Sequence, residues 1–224
     1  MKRISFIGAA GTGKTTLLDA LVKHYSGQDE VLRYDLGLSD EEKLRVFEQG
    51  SPYVVIEELV RSLCRERGYD SPYNVPGDEI NQFRFDLLLK QIEIEEQLVK
   101  DAQAYNKAQG KEVIKGFMGD RGCLDGWAYY MRWSWNSVDV EVAEDYYTKA
   151  RKQSLKYDHI VFVPMMFETP EDGFRWVNKT YQDQMERLQL SVVQEWMLEE
   201  QLYCVQAEAL NERIKELQEL LDSN

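Results

Sequence analysis

The chain contains the segment Gly8-Ala9-Ala10-Gly11-Thr12-Gly13-Lys14-Thr15, which matches the pattern G-x-x-x-x-G-K-[ST] at every fixed position. An apolar run at residues 4–7 predicts a strand before it, and leucines at helical spacing predict a helix after it. Between a strand and a helix, the backbone N–H groups of such a loop turn inward onto phosphate oxygens, and the helix N-terminus adds its positive dipole end. The sequence therefore predicts an α/β domain built around a phosphate loop at residues 8–15.

This loop predicts a triphosphate donor with a divalent cation. Lys14 is expected to reach the β- and γ-phosphates, and the Thr15 hydroxyl is expected to bind Mg²⁺. Thr16 is a secondary candidate that would face the α-phosphate. The chain lacks an Asn-Lys-x-Asp guanine motif, which favours ATP over GTP without settling the donor. The predicted donor site comprises Gly8, Ala9, Ala10, Gly11, Thr12, Gly13, Lys14, Thr15 and Thr16.

Composition narrows the class of protein. A length of 224 residues predicts a single domain over residues 1–224. The formal net charge of -13 argues against long nucleic acid as a partner, because a phosphate backbone requires clustered Lys and Arg. The three cysteines, Cys64, Cys123 and Cys204, stand singly, which favours a reducing cytoplasm. We expect no signal peptide, no membrane span and no membrane partner.

The rest of the chain alternates between strand and helix patterns. Apolar runs predict strands at residues 53–56, 113–118, 159–163 and 202–205, and one long helix is predicted between Gly77 and Gly110. Residues 26–50 are polar, with a short helix predicted by a capping box of Ser39 and Glu42. Leucines of the terminal helix at residues 210–221 are interpreted as packing onto the body and not as a coiled coil. Such alternation predicts a mostly parallel sheet covered on both faces.

Two groups of polar residues follow predicted strands. Asp120 and Arg121 follow one strand, and Glu57, Glu58 and Arg61 follow another. Because ligands of parallel sheets sit outside the carboxyl ends of the strands, these side chains are expected beside the phosphate loop. An acid there can hold Mg²⁺, and an arginine can bind phosphate through two hydrogen bonds. Structural ion pairing is the alternative, above all an i,i+3 salt bridge between Glu58 and Arg61.

Further motifs occur in a fixed order along the chain. They are residues 55–61, Gln91 and Glu95 of the long helix, Asp120-Arg121-Gly122-Cys123-Leu124-Asp125, Tyr129, Tyr157-Asp158-His159 and Asp172-Gly173-Phe174-Arg175. With the phosphate loop, these motifs make the chain resemble the nicotinamide-riboside-kinase-like group of P-loop ATPases, which is related to thymidylate and deoxynucleoside kinases. The resemblance spans residues 4–205. The polar stretch at 26–50 and the aromatic residues after Asp125 depart from the group, so the resemblance does not specify the acceptor.

The resemblance implies a P-loop NTPase three-layer sandwich with a five-stranded parallel sheet of order 2-3-1-4-5 and helices on both faces. It also implies that Thr15 and Asp120 hold the metal and that Arg175 lies in a lid around residues 165–180. The implied catalytic residues are Lys14, Glu58, Asp120, Arg121 and Arg175. The implied acceptor-binding residues are Glu58, Arg61, Gln91, Arg121, Asp125 and Tyr129. The choice of Glu58 over Glu57 follows the spacing of the group.

The predicted function is Mg²⁺- and ATP-dependent phosphoryl transfer to a small nucleoside- or nucleotide-like acceptor, by a cytoplasmic kinase. If the acceptor is a hydroxyl, Glu58 is a candidate general base; if it is a phosphate, Arg61 becomes an anion clamp. The alternative is a nucleotide-binding switch or scaffold protein without a small-molecule acceptor. The sequence is compatible with a homodimer.

Five aromatic residues are concentrated in a short segment. They are Trp127, Tyr129, Tyr130, Trp133 and Trp135. Core or interface packing is the favoured interpretation, and stacking on a flat ligand ring is the alternative.

Overall fold

One parallel sheet forms the centre of the molecule. A computed structural model describes residues 1–134, 138–166 and 178–222. Within these residues the sheet has six strands, in the order β2-β3-β4-β1-β5-β6. The strands are β1 (Lys2–Ile7), β2 (Arg33–Tyr34), β3 (Tyr53–Ile56), β4 (Gly116–Asp120), β5 (His159–Phe162) and β6 (Leu202–Cys204). Every neighbouring pair is parallel, so the carboxyl ends of all six strands lie at one edge.

Helices cover both faces of this sheet. They are α1 (Lys14–Ser26), α2 (Asp40–Phe47), α3 (Leu59–Arg67), α4 (Ile80–Gln109), α5 (Cys123–Trp133), α6 (Val140–Ser154), α7 (Lys179–Trp196) and α8 (Leu210–Asp222). Alternate residues of β3 show the two layers: Val54 and Ile56 pack with α4–α7, whereas Val55 packs with α1 and α8. The three-layer α/β arrangement predicted from the sequence is confirmed.

Over the described residues the sheet has six strands, one more than the five that the sequence predicts. The five strands other than β2 follow the expected order 2-3-1-4-5, but β2 adds a sixth strand at the edge. This strand has only two residues and lies in the polar stretch, so no period-2 pattern marks it. Buried Tyr34 anchors it, and its hydroxyl donates to Asp101 Oδ2 at 2.6 Å.

The start of β4 also differs from the prediction. The apolar run begins at Val113, but β4 begins at Gly116 and includes Asp120 as its last residue. The Asn106 side chain accounts for the difference, because its Oδ1 accepts hydrogen bonds from the backbone N–H groups of Val113 and Ile114. These residues are therefore tied to α4 as a loop.

The predictions for helices α2 and α8 are confirmed. The capping box of α2 forms, with Ser39 Oγ accepting from Glu42 N and Glu42 Oε2 accepting from Ser39 N. Helix α8 packs onto the body through buried Leu217 and Leu221. Tyr53 Oη donates to the Leu221 carbonyl at 2.9 Å and fastens the end of α8 to β3.

Within residues 1–134, 138–166 and 178–222, every helix is too short or too polar to cross a lipid bilayer. The predicted lid at residues 165–180 falls largely on residues 167–177, which lie outside the described part of the chain.

Candidate functional site

The phosphate loop joins the carboxyl end of β1 to the first residue of α1. Gly8 has a φ of 141°, and a Cβ at this position would collide with the carbonyl oxygen of Val163 beside β5. Gly13 has a φ of 85° and is the N-cap of α1. Both positions therefore require glycine, for backbone conformation and, at Gly8, also for space. The loop presents the N-terminus of α1, where backbone N–H groups favour an anion.

Lys14 lies inside this loop. Its ammonium group is buried and donates to the carbonyl oxygens of Gly8 at 2.9 Å and Ala9 at 2.8 Å. Burial, with the nearby Arg121 guanidinium second, lowers the pKa of Lys14 to about 8. The loop thus holds one desolvated cation next to its backbone amides, which is an arrangement suited to phosphate oxygens.

Thr15 and Asp120 meet at the end of β4. The Thr15 hydroxyl donates to Asp120 Oδ2, and Asp120 lies beside Phe6 in the register of β1 and β4. Asp120 is buried; burial and then the Glu58 carboxylate raise the pKa of its carboxyl group.

Hydroxyl and carboxylate oxygens are the hard ligands that Mg²⁺ takes, so this pair fits a magnesium ion. Across the described ranges, three or more His, Cys, Asp or Glu side chains do not gather into a metal cage. Mg²⁺ at nucleotide sites uses one or two protein ligands with phosphates and water, which the Thr15–Asp120 pair can satisfy.

Arg121 connects the phosphate loop to two carboxylates. Its Nε donates to Glu58 Oε1 at 2.5 Å, and one terminal nitrogen donates to Asp125 Oδ2 at 2.6 Å and to the Gly8 carbonyl at 3.3 Å. Its φ of 83° is unusual for a residue with a side chain. Burial disfavours the charge of Arg121, but Asp125 and Glu58 outweigh it and raise the pKa of the guanidinium above its usual range.

Glu58 directly precedes α3 and contacts two arginines. Its second oxygen lies 3.5 Å from Arg61 Nε, so the i,i+3 salt bridge considered as the structural alternative is present. Glu57 is exposed, whereas Glu58 is buried and lies in the site. The motif spacing of the resembled group therefore identified, of Glu57 and Glu58, the glutamate whose side chain contacts Arg121.

Two cavities open at this edge of the sheet, and we name each for the role that the sequence predicts for its lining residues. The donor cleft, of about 440 Å³, runs along the phosphate loop; its lining includes Gly11, Gly13, Lys14, Thr15, Thr16, Asp120, Glu208 and Arg213. The acceptor cavity, of about 90 Å³, is mostly apolar; its lining includes Leu59, Tyr73, Arg84, Leu87, Leu88, Gln91, Asp125, Tyr129 and Tyr146. Glu58 and Arg121 line both cavities.

The predicted acceptor residues come together with one exception. Glu58, Gln91, Arg121, Asp125 and Tyr129 all line the acceptor cavity. Arg61 pairs with Glu58 and is not among the lining residues. Arg175 lies outside the described part of the chain.

Helix α7 supplies two residues that sequence reasoning missed. Gln182 Nε2 donates to the Ala10 carbonyl at 2.9 Å, and Gln189 Nε2 donates to the Gly8 carbonyl at 3.3 Å and to Asp125 Oδ1. The available signal was their seven-residue spacing on the same buried face as Met185 and Val192. Arg84, Tyr73, Tyr146, Glu208 and Arg213 were missed as well.

The aromatic segment after Asp125 has two environments. Trp127 and Tyr130 are buried in the core with ring centroids 5.6 Å apart, which confirms packing for these two. Tyr129 instead faces the acceptor cavity. Trp133 Nε1 donates to the Tyr181 hydroxyl, and Trp135 lies outside the described residues.

The sheet order, the phosphate loop and the residues around it define a P-loop nucleotide-binding protein with a kinase-like fold. The chain belongs to the AAA domain family, because the model of that family matches residues 3–213. No curated protein sequence matches the chain.

Solved structures support the same fold. The NadR protein in complex with NR superposes with a TM-score of 0.66 and 16% identity, over 98% of this chain and 51% of that one. The chain thus spans about half the length of NadR. A deoxyadenosine kinase from M. mycoides, with dCMP and a flexible dCDP bound, superposes with a TM-score of 0.57 and 13% identity. The match covers 99% of this chain and 100% of that one. A thymidylate kinase from Ehrlichia chaffeensis superposes with a TM-score of 0.50 and 13% identity, over 99% of this chain and 98% of that one. These likenesses confirm, for the fold, the resemblance found in the sequence.

Proposed function

We propose that the protein transfers the terminal phosphoryl group of Mg-ATP to a hydroxyl group of a small nucleoside- or nucleotide-like acceptor. One observation carries this proposal: the donor cleft and the acceptor cavity share Glu58 and Arg121. A group bound in one cavity therefore meets a group bound in the other at these two side chains. Such positioning is the main contribution of an enzyme to phosphoryl transfer.

On the donor side, the amides of the phosphate loop and Lys14 would bind the β- and γ-phosphates. Thr15 and Asp120 would hold Mg²⁺, which neutralises charge on these phosphates when bound. The Arg121 guanidinium donates to the Gly8 carbonyl and therefore lies beside the phosphate loop. In this proposal the γ-phosphoryl group would be transferred next to it. Lys14 and Arg121 together are suited to stabilise the negative charge on this group.

On the acceptor side, Glu58 would take the proton of the attacking hydroxyl. The acceptor oxygen would form a bond to the γ-phosphorus, the bond from phosphorus to the β,γ-bridging oxygen would break, and ADP would leave. A hydroxyl acceptor is favoured over a phosphate because Glu58 lines both cavities and can take a proton, which a hydroxyl must lose and an ionised phosphate need not.

The NadR complex with NR and the deoxyadenosine kinase complex with dCMP support an acceptor of this class. A panel of nucleosides, nucleoside monophosphates and nicotinamide riboside, assayed with Mg-ATP and with Mg-GTP, tests it by phosphoryl transfer and thermal shift. At least one hydroxyl acceptor is expected to turn over.

Two variants sharpen this test. Glu58→Gln should slow turnover roughly 100-fold or more while donor binding is kept, since it removes a general base. Asp120→Ala should abolish turnover and weaken the Mg²⁺-dependent thermal shift, whereas the exposed Asp145→Asn should change neither.

Other outcomes would assign a different function. Phosphorylation of monophosphates alone, with Glu58→Gln still active, would exclude a hydroxyl acceptor. Stabilisation by nucleotide without turnover of any acceptor would favour the nucleotide-dependent switch.

A further inference from the structure

Arg84 lies in the acceptor cavity, on the side of α4. Its side chain is 6% exposed and lines the cavity with Leu87, Leu88 and Tyr146. It does not line the donor cleft, in contrast to Glu58 and Arg121. The acceptor cavity therefore extends from Glu58 and Arg121, which it shares with the donor cleft, to Arg84, which lies outside the donor cleft.

The charge of Arg84 lacks a counterion among residues 1–134, 138–166 and 178–222. Its Nε is buried without a hydrogen-bond partner, and no carboxylate lies within ion-pair distance of its guanidinium in this part of the chain. Among the described residues Arg84 makes a cation–π contact, with its guanidinium carbon 5.9 Å from the Tyr129 ring centroid. Burial lowers the pKa of Arg84, but an arginine stays protonated in proteins.

Arg121, in the same cavity, has the carboxylate partners that Arg84 lacks among the described residues. Arg121 donates to carboxylate oxygens of both Glu58 and Asp125. Buried charges in proteins are as a rule paired and hydrogen-bonded, because an isolated charge loses its hydration. Among the described residues, Leu87, Leu88, Tyr129 and Tyr146 line the cavity with Arg84 and carry no negative charge. The two carboxylates of the cavity, Glu58 and Asp125, are bonded to Arg121. The missing partner of Arg84 is therefore expected to come from a ligand.

We propose that the acceptor carries a carboxylate, which Arg84 binds at the end of the cavity away from the reacting hydroxyl. A guanidinium presents two parallel N–H groups that match the two oxygens of a planar carboxylate. Tyr129 and Tyr146 line the same space and offer flat surfaces for a ring bearing that group. This inference rests on the proposed phosphoryl transfer and specifies the class of its acceptor.

Matched pairs of ribosides test the proposal, since one member of each pair carries a carboxylate where the other carries hydrogen or a carboxamide. Suitable pairs are orotidine with uridine, and nicotinic acid riboside with nicotinamide riboside. Binding is measured by thermal shift without nucleotide, and turnover is measured with Mg-ATP. The wild-type protein is expected to prefer the carboxylated member of at least one pair roughly 10-fold, which is the discrimination of a single charge-assisted hydrogen-bonded pair.

Arg84→Met should remove that preference while the thermal shift with Mg-ATP is kept. Arg84→Lys should retain part of it, because the charge remains and the fork geometry is lost. Arg65→Met, which changes an exposed arginine of α3, is the matched control and should behave as wild type. The comparison of pairs in the wild-type protein needs no variant, so an unstable Arg84→Met does not prevent the test.

The experiment distinguishes failure of the carboxylate proposal from failure of the proposed kinase activity. Equal or better use of the member without a carboxylate in every pair would overturn the role of Arg84 and leave the kinase proposal standing, as would a preference that survives in Arg84→Met. Nucleotide binding with no acceptor of any kind bound or phosphorylated would overturn both.

Discussion

The donor cleft and the acceptor cavity touch each other but are built differently. The donor cleft takes five of its lining residues, Gly11, Gly13, Lys14, Thr15 and Thr16, from one continuous segment. The acceptor cavity is lined mainly by residues of α3, α4, α5 and α6 and of the 3₁₀ helix Pro72–Asn74. A continuous segment leaves a signature in the sequence, whereas a cavity between helices depends on how distant elements pack. The phosphate loop was accordingly predicted as a unit, whereas Glu208 and Arg213 of the donor cleft and several residues of the acceptor cavity were missed.

The largest effect is expected on the donor side. Lys14→Ala should weaken Mg-ATP binding by about 3 kcal/mol, or roughly 100-fold, because it removes a buried cation that would be paired with phosphate. Isothermal titration with Mg-ATP measures the change. Lys23→Ala, an exposed lysine of the same helix, should bind as wild type. Unchanged affinity in Lys14→Ala would mean that residues 8–15 are not the donor site.

An intermediate effect is expected where the two regions are linked. Gln189 is fully buried and contacts both the Gly8 carbonyl of the loop and Asp125 of the acceptor cavity. Gln189→Ala should weaken donor and acceptor binding together, by about 1–2 kcal/mol or roughly 10-fold for the acceptor, since a hydrogen bond to a charged group is lost. Kd for Mg-ATP and KM for the best acceptor report the two sides.

The control for this link lies on the same helix. Gln184 is exposed, and Gln184→Ala should leave both constants unchanged. If Gln189→Ala lowers the melting temperature alone and alters neither constant, the residue supports the fold and does not couple the two regions.

The smallest effect is expected outside both regions. Glu96 accepts from Arg3 at 2.6 Å and from Lys156 at 2.8 Å, and these partners lie by the amino ends of β1 and β5. The hydrogen bond from Arg3 is the main cause that lowers the pKa of Glu96 from 4.5 to about 2. The pair therefore stabilises the folded state above about pH 4.5, and this contribution is lost as the pH falls towards 2.

Glu96→Gln should destabilise the protein at pH 7 by only about 0.5 kcal/mol, because the Glu96 side chain is 34% exposed and solvent screens the pair. Urea unfolding of both proteins at pH 7, 5 and 3.5 measures the difference, which should shrink as the pH falls. Nucleotide binding should not change. A difference that grows on acidification would contradict the assigned pKa direction.

Prediction from sequence succeeded where local patterns carry the information. The strands β3 and β5 and the long helix α4 follow from apolar periodicity and from the positions of glycine and proline, although β5 ends at Phe162, one residue before the predicted end. Glu58 was separated from Glu57 by the spacing of a resembled family, and the structure places Glu58 beside Arg121. The two-residue strand β2 was missed because so short an element has no period to detect.

Arg84 and Gln189 were missed for a different reason. Each lies on a helix whose pattern identifies a buried face but not the polar atoms that this face will meet. Gln189 contacts Gly8 across 181 residues of chain, and Arg84 reaches Tyr129 on another helix. No local spacing encodes such distances.

The amino-acid order thus specified a strand, a phosphate loop and a helix, since backbone conformation and a helix terminus depend on consecutive residues. Packing of the helices on the sheet specified the acceptor cavity, because it joins Glu58, Arg121 and Asp125 and leaves Arg84 without an anionic partner among the described residues. Desolvation and charge pairing act between groups that are close in space, so they emerge only when the chain is folded.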